Sequence, residues 1–209
     1  MGGGTFNPVR NHLSLAAPAF GKTARYLFEE SIGVLDYSKI VPLLVLTKMA
    51  NPYSPLLSNK DVSDAVDKYL EDESVKVIIF NVALCDFETT YKGVESGFHA
   101  ERLKTAKGSV RLTLTPSEKI ITRIRKVRPD IFLVGFKTTT NATTDEQFEL
   151  ASKMIEPDFC NIVFANDTVT RQNMIVTSKK WSHARSNNRE DMLDELLRLI
   201  KNHTITSWN

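Results

Sequence analysis

Three loops, each directly after an apolar run typical of a buried strand, carry side chains that could bind a nucleotide. The run VALCDF brings Asp86, the run FLVGFK brings Phe136 and Lys137 ahead of three threonines, and the run NIVFAND brings Asn166. An aromatic ring can pack against a base, a cation can pair with phosphate, and hydroxyls can bond to ribose or phosphate oxygens. A turn or helix-cap aspartate is the ordinary structural alternative for Asp86 taken alone. Together the three loops predict a nucleotide site.

A glycine cluster opens the chain in GGGTFNPVR (2–10), ahead of a helix predicted from about residue 21. Glycines let backbone N–H groups approach a phosphate closely near a helix N-terminus, and a plain turn is the alternative interpretation. The cluster follows Met1 directly. We therefore expect the strand that should feed such a loop to be missing or rebuilt.

Strand and helix patterns alternate along the chain, and this alternation positions the loops. Continuous apolar runs rich in Val, Ile and Phe predict buried strands at Pro42–Thr47, Val75–Val82, Ile131–Phe136 and Asn161–Ala165. Period-two runs predict edge or hairpin strands with one wet face at Ser109–Thr115 and Asn173–Ser178. Helical patterns cover Gly21–Ser31, Asp61–Glu71, Pro116–Val127, Asp145–Ile155 and Arg189–Asn202, with a polar connector at 182–188.

These elements predict an α/β fold, a Rossmann-like three-layer sandwich with a mostly parallel central sheet and a small antiparallel edge or hairpin element, in a single domain over 1–209. Ligands of such sheets bind at the carboxyl ends of the strands. Asp86, Phe136 and Asn166 are therefore expected to meet at one edge.

Charge and composition exclude several classes of function. The 27 Lys and Arg against 25 Asp and Glu leave a net charge of +2 with the cations scattered, which gives no electrostatic reason to expect a nucleic-acid or membrane partner. No membrane span or secretory signal is found, so we expect a cytoplasmic protein. Cys85 and Cys160 are interpreted as buried thiols, and the four histidines lack metal-ligand spacing, so no metal-ligating residue is predicted. Trp181 and Trp208 are interpreted as surface or interface anchors.

The motifs resemble those of a known family. FLVGFKTTT (132–140), then Lys153, then NIVFAND (161–167) and NMIV (173–176) are similar to the GF loop, the lysine-bearing helix and the A-N-D strand end of the phosphopantothenate–cysteine ligase family. This family is also called phosphopantothenoylcysteine synthetase, or the DNA/pantothenate metabolism flavoprotein C-terminal family. VALCDF and the stretch RLKTAKG (102–108) resemble two further family elements. The resemblance covers about residues 75–180 in the right order.

The resemblance implies an NTP-dependent carboxylate–amine ligase of coenzyme A biosynthesis. Members activate 4′-phosphopantothenate as an acyl-nucleotide with ATP or CTP and Mg²⁺, and then form an amide with cysteine. Activation is needed because a carboxylate becomes a useful electrophile only when its oxygen is part of a leaving group. The family also implies a homodimer.

Residue roles follow from the same resemblance. Asp86, Phe136, Lys137, Lys153 and Asn166 would surround the nucleotide together with Gly3, Gly4 and Thr5. Of these, Asp86, Phe136, Lys153 and Asn166 would meet around its triphosphate at one edge of the sheet. Arg10, Gly21 and Lys22 would bind the acid substrate. Asn11, Arg102 and Lys104 would act in catalysis, the last two on a mobile flap over 89–110.

Two other functions remain open. The segment GGTFNPVRNHL (3–13) is similar to the G-x-F-x-P-x-H-x-G-H motif of nucleotidylyltransferases, but Arg10 stands where the first histidine should be. Ala19 and Phe20 replace the family's paired serines, and Arg102 replaces the first lysine of the flap. A nucleotide-binding homologue that acts on a different acid or lacks ligase activity would show these departures.

Overall fold

Seven strands form one central sheet in the computed structural model, which describes residues 1–36, 38–155 and 159–207. Trp208 lies outside these residues. In chain order the strands are β1 (Gly2–Arg10), β2 (Leu13–Ala17), β3 (Val77–Ala83), β4 (Phe87–Tyr91), β5 (Val94–Glu95), β6 (Thr113–Pro116), β7 (Phe132–Thr139), β8 (Ile162–Asp167), β9 (Asn173–Val176) and β10 (Ser182–Ser186). The helices are α1 (Lys22–Val34), α2 (Asn59–Glu71), α3 (Ile120–Val127), α4 (Thr144–Ser152) and α5 (Arg189–Ser207), with a 3₁₀ turn at Thr105–Lys107.

The sheet has the order β10-β9-β8-β7-β3-β1-β2, and its central strands β8, β7, β3 and β1 are parallel. The outer strands β2, β9 and β10 pair antiparallel with their neighbours. A separate antiparallel sheet of order β5-β4-β6 stands beside it. The predicted α/β fold with a small antiparallel element is confirmed.

Helices cover both faces of the central sheet, which gives two apolar cores. On one face, buried residues of α2, α3 and α4 pack with alternate strand residues, among them Val66, Ile124 and Val163. On the other face, α1 and α5 contribute Leu27 and Leu196. This burial on both faces explains why the central strands are continuous apolar runs.

The beginning of the chain differs from the prediction. The glycine cluster does not follow a missing strand, because it lies inside β1 itself. β2 returns alongside β1, pairing Thr5 with Ala17, so the outer side of β1 is already occupied. The predicted strand Pro42–Thr47 is consequently reduced to one parallel bridge between Leu46 and Gly2.

Three further element boundaries differ. Pro116 ends β6 and pairs with Phe87, so α3 begins only at Ile120. The predicted connector 182–188 contains the edge strand β10. Because β10 covers one side of β9 and helices cover its faces, β9 is fully buried and has no wet face.

No helix in the described part of the chain is long and apolar enough to cross a membrane.

Candidate functional site

The carboxyl ends of the parallel strands meet at one edge of the sheet, as the sequence predicts. The register aligns Gly4 with Ala83, and Thr138 with Asn166. Asp86 follows the end of β3, and the Thr138 hydroxyl donates to the Asn166 side-chain oxygen over 3.4 Å. The polar residues at or just after the ends of β3, β7 and β8 therefore lie at one edge of the sheet, which we call the carboxyl edge.

A buried hydrogen-bond network ties three elements together beneath this edge. The Thr5 hydroxyl of β1 donates to Oδ1 of Asn59 at 2.6 Å, and Asn59 Nδ2 donates to the Cys85 carbonyl at 2.8 Å. The Cys85 backbone N–H lies 3.1 Å from both side-chain oxygens. Ser58 and Asp61 form a capping box that fixes the start of α2 and hence the position of Asn59. Thr5, predicted to contact a nucleotide, is fully buried and positions the loop that carries Asp86.

The glycines of β1 make room for the protein's own backbone. A Cβ on Gly4 would overlap the Ala17 carbonyl oxygen and lie 2.6 Å from the Ala19 nitrogen. Gly3, whose φ is +110°, would place a Cβ onto the Thr47 hydroxyl and 2.8 Å from Ala50 Cβ. Close packing against neighbouring atoms therefore explains why glycine occupies positions 3 and 4. Their contact with a nucleotide stays a prediction.

Asp86 forms an exposed ion pair with Lys119, whose Nζ lies 2.6 Å from Oδ1. Lys119 is the N-cap of α3, and the backbone N–H of Ser117 donates to the Asp86 carbonyl. The sequence prediction did not assign a role to Lys119. The sequence feature that could have identified Lys119 is its position in the PSEKI stretch (116–120), which leads into α3. Asp86 and Lys119 thus present one negative and one positive group to solvent at the end of β3.

Phe136 and Lys137 point to opposite faces of the sheet. The Phe136 ring packs on Phe164, with ring centroids 5.3 Å apart, on the face covered by α1 and α5. A Cβ on Gly135 would contact Ile121 of α3, so residues 135 and 137 face the other side. The ring and the cation that the sequence groups into one loop are therefore separated by the sheet.

Asp167 holds the loops after β7 and β8 together. Although burial by itself raises its pKa, hydrogen bonds to the carboxylate hold the pKa of Asp167 well below its usual range. The donors are the backbone N–H groups of Asn141, Ala142, Val169 and Thr170, with the Thr139 hydroxyl. The carboxylate is thereby occupied by structural hydrogen bonds.

Lys153 does not share this edge. It caps the C-terminal end of α4, a helix that starts after the carboxyl end of β7 and returns to the amino end of β8. Its Nζ pairs with Glu149 at 2.8 Å, and both side chains are exposed. The expectation that Lys153 meets Asp86, Phe136 and Asn166 at one edge is wrong, because the lysine stands at the opposite end of the helix.

The β1–β2 hairpin extends past the sheet and touches the small antiparallel sheet. Arg10 is buried, donates to the Val9 carbonyl, and has its guanidinium carbon 5.5 Å from the Tyr91 ring centroid. Asn11 is exposed in the hairpin turn. The Gly97 N–H donates to the Val9 carbonyl, which joins the hairpin to the flap segment.

The predicted flap over 89–110 contains the end of β4, all of β5 and the 3₁₀ turn. Arg102 and Lys104 are exposed on it. Their movement over a substrate stays a prediction.

The N-terminus of α1 lies near the end of β1 that pairs with β3, where the Gly4 N–H donates to the Ala19 carbonyl. Gly21 is its N-cap in a left-handed conformation with φ of 71°, and no side chain caps the helix. The first N–H groups of α1 therefore lack a side-chain acceptor, and Lys22 adds an exposed cation beside them.

A cavity of about 520 Å³ lies at the other end of the sheet, far from these loops. Apolar side chains such as Leu27, Leu44 and Leu197 line it, and Val77 at the amino end of β3 marks its position. Although this cavity is large, the polar strand ends lie at the carboxyl edge. We therefore place the candidate functional site at that edge and not in the cavity.

Comparison with known proteins agrees with this architecture. The profile of the DNA/pantothenate metabolism flavoprotein C-terminal domain matches residues 47–204. The coenzyme A biosynthesis bifunctional protein CoaBC of Thermococcus kodakarensis is 30% identical over 107 residues, which are 51% of this chain and 25% of that protein. The match thus spans a quarter of that relative's length.

Solved structures share the fold at low sequence identity. The DNA/pantothenate metabolism flavoprotein from Streptococcus pneumoniae superimposes with a TM-score of 0.77 at 20% identity, over 97% of this chain and 96% of that one. The C-terminal domain of a CoaBC protein gives 0.66 at 16% identity, over 99% and 94%. A Cab2 mutant in complex with phosphopantothenate-cysteine gives 0.62 at 14%, over 98% and 86%.

The central parallel strands, the helices on both faces and the polar strand ends define a Rossmann-like α/β domain, a class in which ligands bind at the carboxyl ends of the strands. Since the profile covers more than half of the sequence, the chain belongs to the DNA/pantothenate metabolism flavoprotein C-terminal domain family.

Proposed function

We propose that this protein is a phosphopantothenate–cysteine ligase that uses ATP or CTP. The proposal depends chiefly on the polar residues that follow β3, β7 and β8 at the carboxyl edge, with Asp86 after β3 and Asn166 beside Thr138, in a member of this family. The relatives add support, because one is named for coenzyme A biosynthesis and a structural neighbour was solved with phosphopantothenate-cysteine.

The reaction has two chemical steps. The carboxylate of 4′-phosphopantothenate attacks the α-phosphorus of the nucleotide, and pyrophosphate leaves. The amine of cysteine then attacks the acyl carbon, and the nucleoside monophosphate leaves as the amide forms. Both steps need the reactants held in contact and the phosphate charge neutralised.

The chain's own residues divide these tasks. Phe136 would border the base, Asn166 would hydrogen-bond to a reactant at the strand end, and the free N–H groups of α1 would bind a phosphate. Arg10, Asn11, Arg102 and Lys104 would close over the activated acid from the hairpin and the flap. These assignments rest on position and on the family resemblance.

Mg²⁺ fits this edge as an ion carried by the nucleotide. In the described part of the chain no three acidic, histidine or cysteine side chains cluster as metal ligands, and Asp167 is saturated by hydrogen bonds. Asp86 is an exposed carboxylate at the edge that could hold a hydrated Mg²⁺ beside phosphates. The ion would neutralise phosphate charge there. A homodimer in the cytoplasm, with only small molecules as substrates, completes the proposal.

The test is pyrophosphate release from ATP or CTP with cysteine and 4′-phosphopantothenate, each also omitted in turn. Asp86→Asn is expected to lower kcat/KM at least about ten-fold, since a charged hydrogen-bonding or metal-binding group is lost. Asp64→Asn is the matched control, because Asp64 forms a similarly exposed pair with Lys60 on α2. A comparison of ATP and CTP by thermal shift reports base preference.

The other outcomes select the other functions. Release that needs a mononucleotide acceptor instead of cysteine identifies a nucleotidylyltransferase. Nucleotide binding without turnover identifies a non-catalytic homologue.

A further inference from the structure

Arg189, the first residue of α5, bridges three elements beside the carboxyl edge. Its Nη2 donates to the Thr23 hydroxyl in the first turn of α1 at 2.9 Å, and its Nη1 donates to Asn173 Oδ1 of β9 at 3.1 Å. Its guanidinium carbon lies 5.1 Å from the Phe164 ring centroid of β8. The side chain is half-buried between the helices and the sheet.

All of these contacts are electrically neutral. A hydroxyl, an amide and an aromatic ring surround the guanidinium, and no carboxylate of the described residues lies within 4.0 Å of it. Glu190 and Asp191 follow it in the helix but are exposed. By contrast, Arg128 pairs with Asp130 at 2.8 Å, and Arg198 pairs with Glu195 at 2.6 Å.

A cation that is partly removed from water without a counter-charge is costly, and proteins rarely retain one. Burial lowers the pKa of Arg189, which reflects this loss of hydration. An anion arriving from solvent would supply the missing charge. Arginine suits phosphate in particular because its planar N–H groups match phosphate oxygens in pairs.

The position of Arg189 in the fold indicates which anion would bind to it. Asn173 is the register partner of Asn166, which is in turn the partner of Thr138, so the guanidinium lies one strand away from the polar strand ends. Phe164, beneath the guanidinium, stacks with Phe136 on the same sheet face. Thr23, its other partner, is in the uncapped first turn of α1, which contains no acidic residue.

We propose that Arg189 binds a phosphate group of a substrate at the carboxyl edge. The inference rests on the proposed function for the identity of the substrate, which is the nucleoside triphosphate or 4′-phosphopantothenate. The phosphate accepts from guanidinium N–H groups that Thr23 and Asn173 do not use, while these two residues hold the side chain in place.

The test measures binding by titration calorimetry for wild type, Arg189→Met, Arg189→Lys and Arg185→Met. The probes are ATP, CTP, inorganic pyrophosphate and 4′-phosphopantothenate. Arg189→Met is expected to weaken one class of probe by about ten-fold or more, and Arg189→Lys is expected to restore part of the affinity. Arg185→Met, an exposed arginine of β10, is expected to bind within about two-fold of wild type.

The pattern of loss identifies the source of the phosphate. Weaker binding of ATP, CTP and pyrophosphate assigns Arg189 to the triphosphate, and weaker binding of 4′-phosphopantothenate alone assigns it to the acid substrate. Unchanged affinity for all four probes in Arg189→Met overturns the inference. If Arg189→Met does not unfold cooperatively, Arg189→Lys decides in its place, because it keeps the charge but loses the paired donors.

Pyrophosphate release measured on the same proteins separates this inference from the proposed function. An active wild-type ligase whose KM values do not respond to Arg189→Met contradicts the inference alone. A wild type that lacks ligase turnover, but whose phosphate binding depends on Arg189, contradicts the proposed function alone.

Discussion

Asp167 fixes two loops at the carboxyl edge through hydrogen bonds to its carboxylate. Four backbone N–H groups from two loops point at it, and the carboxylate is buried. These bonds fix the chain directly after β7 and β8, where Thr138 and Asn166 are presented. Hydrogen bonds to a charged acceptor are stronger than neutral ones, so the two loops are held firmly.

The depressed pKa of Asp167 predicts a dependence of stability on pH. The unfolded chain takes up the aspartate proton near its ordinary pKa of about 3.9, whereas the folded chain does so only at a lower pH. The unfolded state therefore binds more protons as the pH falls below about 4, and the free energy of unfolding decreases there. Asp167→Asn is expected to be less stable than the wild type at pH 7. Between pH 5 and pH 3 its free energy of unfolding is expected to fall by less than that of the wild type. Urea denaturation at several pH values measures both effects, with Asp64→Asn as the exposed control; an identical pH slope in Asp167→Asn and wild type would contradict the assignment.

At the scale of elements, strand β1 joins the central sheet to the hairpin and the flap. Its first residues pair with β3, and its later residues pair with β2 and reach the small sheet through Val9 and Arg10. Close approach of the segment after β2 is possible only because Gly4 lacks a side chain; the Gly4 N–H donates to the Ala19 carbonyl at 2.7 Å. This packing fixes Gly21 and the start of α1 near the carboxyl edge.

Substituting single glycines tests this packing. Gly4→Ala is expected to reduce the free energy of unfolding by about 2 kcal/mol or more. The new methyl group would overlap backbone atoms, which cannot move aside by changing a side-chain rotamer. Gly33→Ala, in the exposed last turn of α1 with no atom within 4 Å of the new Cβ, is expected to be stabilising by roughly 0.5–1 kcal/mol. Urea unfolding of both variants measures the difference. Equal effects at the two positions would show that the close approach at Gly4 does not constrain β1.

At the scale of the whole molecule, the sheet separates two edges with different character. The carboxyl edge holds the polar strand ends, the start of α1 and the start of α5. The amino edge holds the apolar cavity and Lys153. A helix of nine residues lies between Lys153 and the loop after β7, and its length of about 13 Å keeps the lysine away from the carboxyl edge.

Two lysine variants test this separation. Lys153→Ala is expected to leave ATP and CTP affinity within about two-fold of wild type, because its exposed pair with Glu149 is remote and weak. Lys119→Ala, at the carboxyl edge beside Asp86, is expected to weaken nucleotide binding several-fold through lost charge. Calorimetric titration measures both. A large loss in Lys153→Ala with no loss in Lys119→Ala would reverse the assignment of the two edges.

Much of the architecture could be predicted from local patterns. The strands β3, β7 and β8 are apolar runs as predicted, and helices α2 and α4 lie within a few residues of their predicted bounds. The strands that form only because they pair with a neighbouring strand were not predicted. β1 contains three glycines that weaken any strand pattern, and β10 is a short polar edge strand.

The sequence by itself determined the family, the α/β class and the order in which polar loops follow strands, because apolar runs and motif residues are local properties of the chain. Only the tertiary structure decided which of those residues meet. Helix direction carried Lys153 to the amino edge, strand alternation separated Phe136 from Lys137, and packing of α1 against α5 brought Arg189 beside Thr23. Such distances depend on contacts between residues far apart in the chain, and no local pattern encodes them.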